Sequence, residues 1–213
     1  MNFDALAPHY RWLEAVLANG KLHRCRTAFL AEIDRPERIL LVGEGHGRCV
    51  VECVRRFPGA RITCVDSSAG MIAAAQSRLT RHGGETGRVS WIHASALEWT
   101  PPAAAFDLVV TQFFLDCFRA EQVAAVISRL ATAAAPGADW LVADFQVAPA
   151  GWKRARSRLI LRLMYAFFRA LTQLAADRLT PPDLHLRRSG FALRRRIETE
   201  WGLLHSDWWV RSE

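Results

Sequence analysis

Three glycines on alternate positions, Gly43, Gly45 and Gly47, follow the apolar run Ile39-Leu40-Leu41-Val42, and a carboxylate, Asp66, closes a second apolar run 19 residues after the last of them. A strand that passes into a helix through glycines can lay its backbone against a ligand. Gly43 permits the tight exit, Gly45 the close approach, and Gly47 a conformation that a Cβ would penalise. The helix that follows, Arg48 to Phe57, is then expected to turn its free N–H groups toward that ligand. At the end of the next strand, Asp66 lies beside such a turn and can accept both hydroxyls of a ribose. Its bland alternative is a cap for the helix from Ser67 onward. The chemistry implied is the holding of a nucleotide-like group.

The position of the third glycine narrows the choice. A dinucleotide fingerprint, G-x-G-x-x-G, would need glycine where Arg48 stands. The spacing G-x-G-x-G, with Asp66 at βαβ distance, resembles the first motif of the class I S-adenosylmethionine-dependent methyltransferases. The resemblance runs from Arg38 to Arg211 and takes in the Ser189-Gly190-Phe191 turn and a closing hairpin at Trp201-Gly202. It implies S-adenosylmethionine as cofactor, held by Gly43, Glu44, Gly45, Gly47, Asp66, Ser67, Met71, Ser95, Ala96, Thr111 and, from an N-terminal cap, Tyr10. Ser95 stands where the family often has an aspartate near adenine. Thr111-Gln112-Phe113-Phe114 should border methyl donor and acceptor, and Asp107 should be structural. The chain departs from the family at Leu41, where many members carry an acid. Glu44, inside the turn, either takes over the contact to the methionine amino group or is a solvated loop carboxylate. His46 is a loop residue or a lining residue.

Strands alternating with helices position these groups. The pattern predicts helices over Pro8–Leu17 and Leu22–Ile33, then strands at Ile39–Val42 and Ala60–Asp66. A helix at Ser68–Arg81 is next, with Met71, Ile72, Ala75 and Leu79 at helical spacing and His82-Gly83-Gly84 at its end. Strands at Arg88–His93 and Phe106–Gln112, a helix at Glu121–Ala135 and a strand at Trp140–Phe145 complete the core. The fold expected is a Rossmann-like, doubly wound α/β sheet of seven mainly parallel strands with an antiparallel C-terminal hairpin. One domain accounts for residues 1–213: a helical cap (1–35), a cofactor-binding core (36–150), a helical insertion (151–180), and a final helix and hairpin (181–213).

Composition excludes several classes. At 213 residues and 51% apolar, the chain can bury one sizeable core. No charged-then-apolar leader and no long apolar run are seen, so a cytoplasmic protein is expected. The five cysteines have neither paired C-x-x-C spacing nor a histidine cluster, so no metal site is expected and buried reduced thiols are.

The net charge of +7 has a local origin: residues 151–196 hold 12 Lys and Arg against 2 Asp and Glu. On a helix over 152–176, Ile160, Leu163, Met164, Phe167, Leu171 and Leu174 fall within about 100° of one another, and Arg154, Arg158, Arg162 and Arg169 fall on the opposite side. Such a helix packs on the core with a solvated arginine face, closes as a lid over an apolar acceptor, or lies on an anionic membrane surface. Nucleic acid is disfavoured, because large aliphatics rather than stacking aromatics separate the arginines.

The resemblance implies direct displacement at a methyl carbon, helped chiefly by positioning in a water-poor pocket. An acceptor with a dissociable proton also needs a base. The candidates are Asp116, which follows the fourth strand, His9 and His205. The acceptor expected is hydrophobic and small: quinone-like, polyketide or lipid precursor. The alternative keeps the fold without the reaction, as a cofactor-binding or interaction protein whose basic helix docks a partner. Oligomeric state is not legible.

Overall fold

The computed structural model describes residues 20–172, 176 and 178–212, with the side chains of 170–172 left aside. The predicted helix at Pro8–Leu17 lies outside them, as do His9 and Tyr10. The described chain runs α1 (Lys21–Thr27), β1 (Arg38–Val42), α2 (Arg48–Arg56), β2 (Arg61–Asp66), α3 (Ala69–Arg81), β3 (Val89–His93), β4 (Phe106–Gln112), a 3₁₀ turn (Leu115–Cys117), α4 (Ala120–Ala133), β5 (Ala134–Phe145), α5 (Gly151–Thr172), α6 (Asp183–Arg188), β6 (Phe191–Thr199) and β7 (Leu204–Arg211).

The strands form one seven-stranded sheet in the order β3-β2-β1-β4-β5-β7-β6. β1 to β5 are parallel, and β7 runs antiparallel to both β5 and β6. The order turns back at β1, whose neighbours are β2 and β4, so the crevice for a ligand opens at the carboxyl ends of these strands.

Alternation along β1 shows how the sheet is covered. Leu40 and Val42 face a core shared with Val123, Ile127 and Leu130 of α4 and with Leu186 of α6. Ile39 and Leu41 face a second core with Cys49, Val50 and Cys53 of α2 and Leu79 of α3. Leu41 is therefore fully committed to packing, which explains why no acid stands there. A third cluster, with Cys25, Ala143, Leu161, Tyr165 and Leu204, seats α5 over the carboxyl end of the sheet.

Three expected elements differ. The helix at Leu22–Ile33 ends at Thr27, and the turns that follow bury Phe29, Leu30 and Ile33 against the sheet. The fifth strand begins at Ala134 rather than Trp140, because Ala134 pairs with Phe106 before a register shift brings Asp139 opposite Leu108. The packed face of α5 is turned about 90° from the one the apolar positions suggested. Ser157, Leu161 and Tyr165 are buried, while Leu163 (64% exposed) and Phe167 (42%) are not. Two polar anchors set the rotation: Ser157 Oγ accepts the Ala148 N–H at 3.2 Å, and Tyr165 donates its hydroxyl to the Asp116 carbonyl at 3.1 Å. Arg154, Arg158, Arg162 and Arg169 are exposed as expected.

Candidate cofactor and acceptor site

The glycine turn is built as the spacing suggested. Gly43, Gly45 and Gly47 all have positive φ, of 68°, 62° and 76°. At Gly47 an added Cβ would lie 2.6 Å from the Ala75 backbone, so this glycine lets α3 approach the turn. At Gly45 nothing lies within 4 Å of the same position, and that open side faces a cavity of about 780 Å³. Gly43 sits beneath the Phe114 ring.

Asp66 reaches the turn from the end of β2. Its carboxylate accepts the Gly45 N–H at 3.3 Å and the Ser68 N–H at 2.9 Å, and it lines the cavity. Burial raises its pKa, while the backbone N–H groups oppose that shift. The cap of α3 is Ser68, whose hydroxyl accepts the Met71 N–H at 3.1 Å, so Asp66 is not that helix's cap. Ser67, Met71, Ser95 and Ala96 line the same wall. The Ser95 hydroxyl accepts the Leu97 N–H at 3.3 Å and keeps its own proton to donate.

The start of α2 departs from expectation. Its N–H groups were expected to point at a ligand, yet Glu44 folds back and accepts those of Cys49 (2.6 Å) and Val50 (3.2 Å). Burial pushes the Glu44 carboxyl up to about 7 against these bonds and nearby Arg26. Glu44 also lines the cavity, so it is neither solvated nor distant.

Thr111 is not a lining residue. It is 1% exposed, its hydroxyl accepts Trp140 Nε1–H at 3.0 Å, and strand alternation turns it into the core. Gln112, Phe113 and Phe114 take the place at the cavity. Asp107 is structural, holding the Glu37 and Arg38 N–H groups at 2.9 Å each.

Beyond the glycine turn the cavity becomes apolar. Phe113, Phe114, Phe118 and Phe145 form its floor, and Ile160, Met164, Tyr165 and Phe168 of α5 form its roof. Lys21 binds Glu200 at 2.6 Å and Arg156 donates to the Glu200 carbonyl at 3.2 Å, so α1, α5 and the hairpin turn are tied together at the wall. Of the base candidates, Asp116 lines this chamber and is 7% exposed. His205 is 2% exposed and off the cavity wall, with Nδ1 3.0 Å from Asp207 Oδ1. Arg26, stacked 4.9 Å over Phe113, and Asp144, hydrogen-bonded to Asp116, were not singled out from sequence. A lone arginine on a short helix and a carboxylate ending a strand carry no spacing signal.

Residues 39–137 match the family described as a methyltransferase domain. That stretch, a little under half of the chain, holds the glycine turn, Asp66 and β4. Among relatives, the domain is similar to a demethylmenaquinone methyltransferase of Chlamydia felis, 34% identical over 76 residues covering 36% of this chain and 33% of that protein. It is also similar to a ubiquinone/menaquinone biosynthesis C-methyltransferase of Syntrophotalea carbinolica, 28% identical over 75% of this chain and 68% of that one. The chain thus spans about a third of the first relative's length. The fold is shared with the crystal structure of Burkholderia thailandensis 1,6-didemethyltoxoflavin-N1-methyltransferase, at a TM-score of 0.65 and 17% identity, over 90% of this chain and 78% of that one.

Proposed function

We propose that the chain is an S-adenosylmethionine-dependent methyltransferase that acts on a hydrophobic small-molecule acceptor. One observation carries this reading: a single cavity has the glycine turn and Asp66 at one end and an aromatic and aliphatic chamber at the other. The polar end fits the cofactor. Gly45 leaves room for a ligand against its backbone, Asp66 offers a carboxylate to ribose hydroxyls, Met71 and Ala96 supply apolar lining, and Ser95 offers a donor. Glu44 would face the amino group, in place of the acid missing at Leu41. Bound there, S-adenosylmethionine supplies an electrophilic methyl group on a sulfonium leaving group.

The remaining catalytic work belongs to the chain. The aromatic floor and α5 exclude water and hold the acceptor's reacting atom near the turn. Asp116, on the chamber wall, is the base for an acceptor proton. Relatives that are named for quinone precursors support a ring-bearing apolar acceptor. The test is incubation of the protein with methyl-labelled cofactor and demethylated quinols, phenolic polyketides or fatty acyl thioesters. Label in the organic extract supports the reading, and label transferred only to water-soluble acceptors overturns it.

Delivery of such an acceptor favours membrane contact through α5. Trp152 (63% exposed), Leu159 (60%) and Leu163 join Trp201 (58%) in an apolar ridge beside the cavity, with the four exposed arginines along the neighbouring face. Among the described residues no helix is long and apolar enough to cross a membrane, so this contact lies in the interface plane. Flotation with vesicles tests it: more protein should float with anionic than with neutral lipid, and equal recovery contradicts it.

A further inference from the structure

Among the described residues, Asp116 and Asp144 form a buried carboxyl pair whose hydrogen bonds and ion pairs include none to Lys or Arg. Asp144 is 2% exposed and lies behind Asp116, away from the cavity wall, whereas Asp116 lines the chamber. Asp144 Oδ2 accepts the Asp116 N–H at 3.2 Å, so the two buried side chains lie beside one another, where ionising both would set like charges together away from water. Cys117 Sγ donates to Asp116 Oδ1 at 3.6 Å, and Tyr165 ties the Asp116 carbonyl to α5. Asp144 Oδ1 accepts the Phe145 N–H at 2.8 Å. Among the described residues these contacts fix the pair's geometry and bring no cation to it.

We propose that Asp116 and Asp144 act as a two-carboxyl, one-proton unit: Asp144 stays protonated and positions Asp116, and Asp116 takes the proton of a neutral phenolic or enolic acceptor. The proposal rests on the methyltransferase reading and names the acceptor class for the same site. In the step, the acceptor's O–H bond breaks, its electron pair stays on oxygen as the nucleophile, and the proton bonds to an Asp116 carboxylate oxygen. The pair then holds two protons and loses one to solvent after product leaves. An acceptor already carrying a carboxylate at this wall would be repelled.

Burial supports the division of roles, raising Asp116 to about 6 and Asp144 well above the usual carboxylate range. Other described groups approach the pair from the same turn, from α1, from α5 and from β7. Cys117 on the same turn and Cys25 on α1 are thiols pushed up by burial, and Tyr165 approaches from α5. On β7, His205 is the register partner of Asp144 with Nδ1 turned to Asp207, and Asp66 and Arg26 act on the neighbouring thiols.

The test is carbon NMR of the whole protein labelled at aspartate carboxyls. In wild type one carboxyl should titrate near pH 6 and a second remain protonated beyond it. Asp116→Asn should remove the lower titration. Asp144→Asn, whose amide still donates to Asp116, should leave it in place. Asp144→Ala, which removes that donor, should move it up by about one unit or more. Two carboxyls titrating near the ordinary value of about 3.9, or Asp144→Ala behaving as Asp144→Asn, overturns the pair. For the acceptor class the probe is 4-nitrophenol. Wild type should bind it as the neutral phenol donating to Asp116, so that its phenolate absorbance at pH 7 falls on addition of protein, whereas Asp116→Asn should leave more phenolate at saturation. No binding, or the same absorbance in both proteins, overturns that assignment. Neither readout needs the cofactor, so failure here is distinct from failure to bind S-adenosylmethionine.

Discussion

Glu44 Oε1 accepts the Cys49 N–H at 2.6 Å, so a side chain of the glycine turn caps the helix that the turn launches. The bond satisfies a helix-terminal donor and places a carboxyl favourably at the positive end of the helix dipole. It also keeps that carboxyl inside the cavity wall, where burial raises its pKa to about 7.

The raised pKa makes stability depend on pH. Folded Glu44 holds its proton more tightly than the unfolded chain does, so its contribution is full below the ordinary value of 4.5 and fades as pH rises through about 7. The melting temperature of wild type should therefore fall between pH 5 and pH 8. Glu44→Gln should flatten that fall, and thermal denaturation across the range checks it.

Gly45 and Gly47 should separate when each is changed to alanine. Both pay for a left-handed backbone, about 1 kcal/mol. Gly47→Ala also drives a Cβ to 2.6 Å from the Ala75 backbone, so its loss of stability should be clearly the larger. Gly45→Ala meets only open space and should chiefly weaken ligand binding. Urea denaturation beside calorimetric titration with S-adenosylhomocysteine tells the two apart.

The closing hairpin depends on one ion-pair network. Arg196 bonds Asp207 at 2.7 and 2.5 Å and Asp183 at 2.8 Å. Although burial opposes it, Arg196 and His205 hold the Asp207 carboxyl below its usual range. Arg196→Ala leaves Asp207 buried without its main partner and should cost on the order of 3 kcal/mol or more. Chemical denaturation measures this, and a loss under about 0.5 kcal/mol, the size of an ordinary surface substitution, would mean that the pair is not structural.

The glycine turn, Asp66 and the order of strands were legible in the sequence because each leaves a local mark: a spacing, a strand end, an alternation. Thr111 was misplaced because spacing along a strand gives no absolute face, and one step in register moves a side chain from crevice to core. The rotation of α5 was hidden for another reason. Apolar count favoured Leu163 and Phe167, but the hydroxyls of Ser157 and Tyr165, bonded to distant backbone, set the packed side. Asp144 was invisible because its meaning lies wholly in its neighbour, 28 residues earlier in the chain.

The central claim is that the turn at Gly43 to Gly47 and Asp66 hold S-adenosylmethionine. Isothermal titration calorimetry with S-adenosylmethionine and its demethylated product tests it most directly. The account predicts saturable binding of both by wild type, and loss of both in Gly45→Arg, whose long side chain would enter the open space beside the turn while circular dichroism stays that of the folded protein. Absence of binding by wild type, or undiminished binding by folded Gly45→Arg, would contradict it.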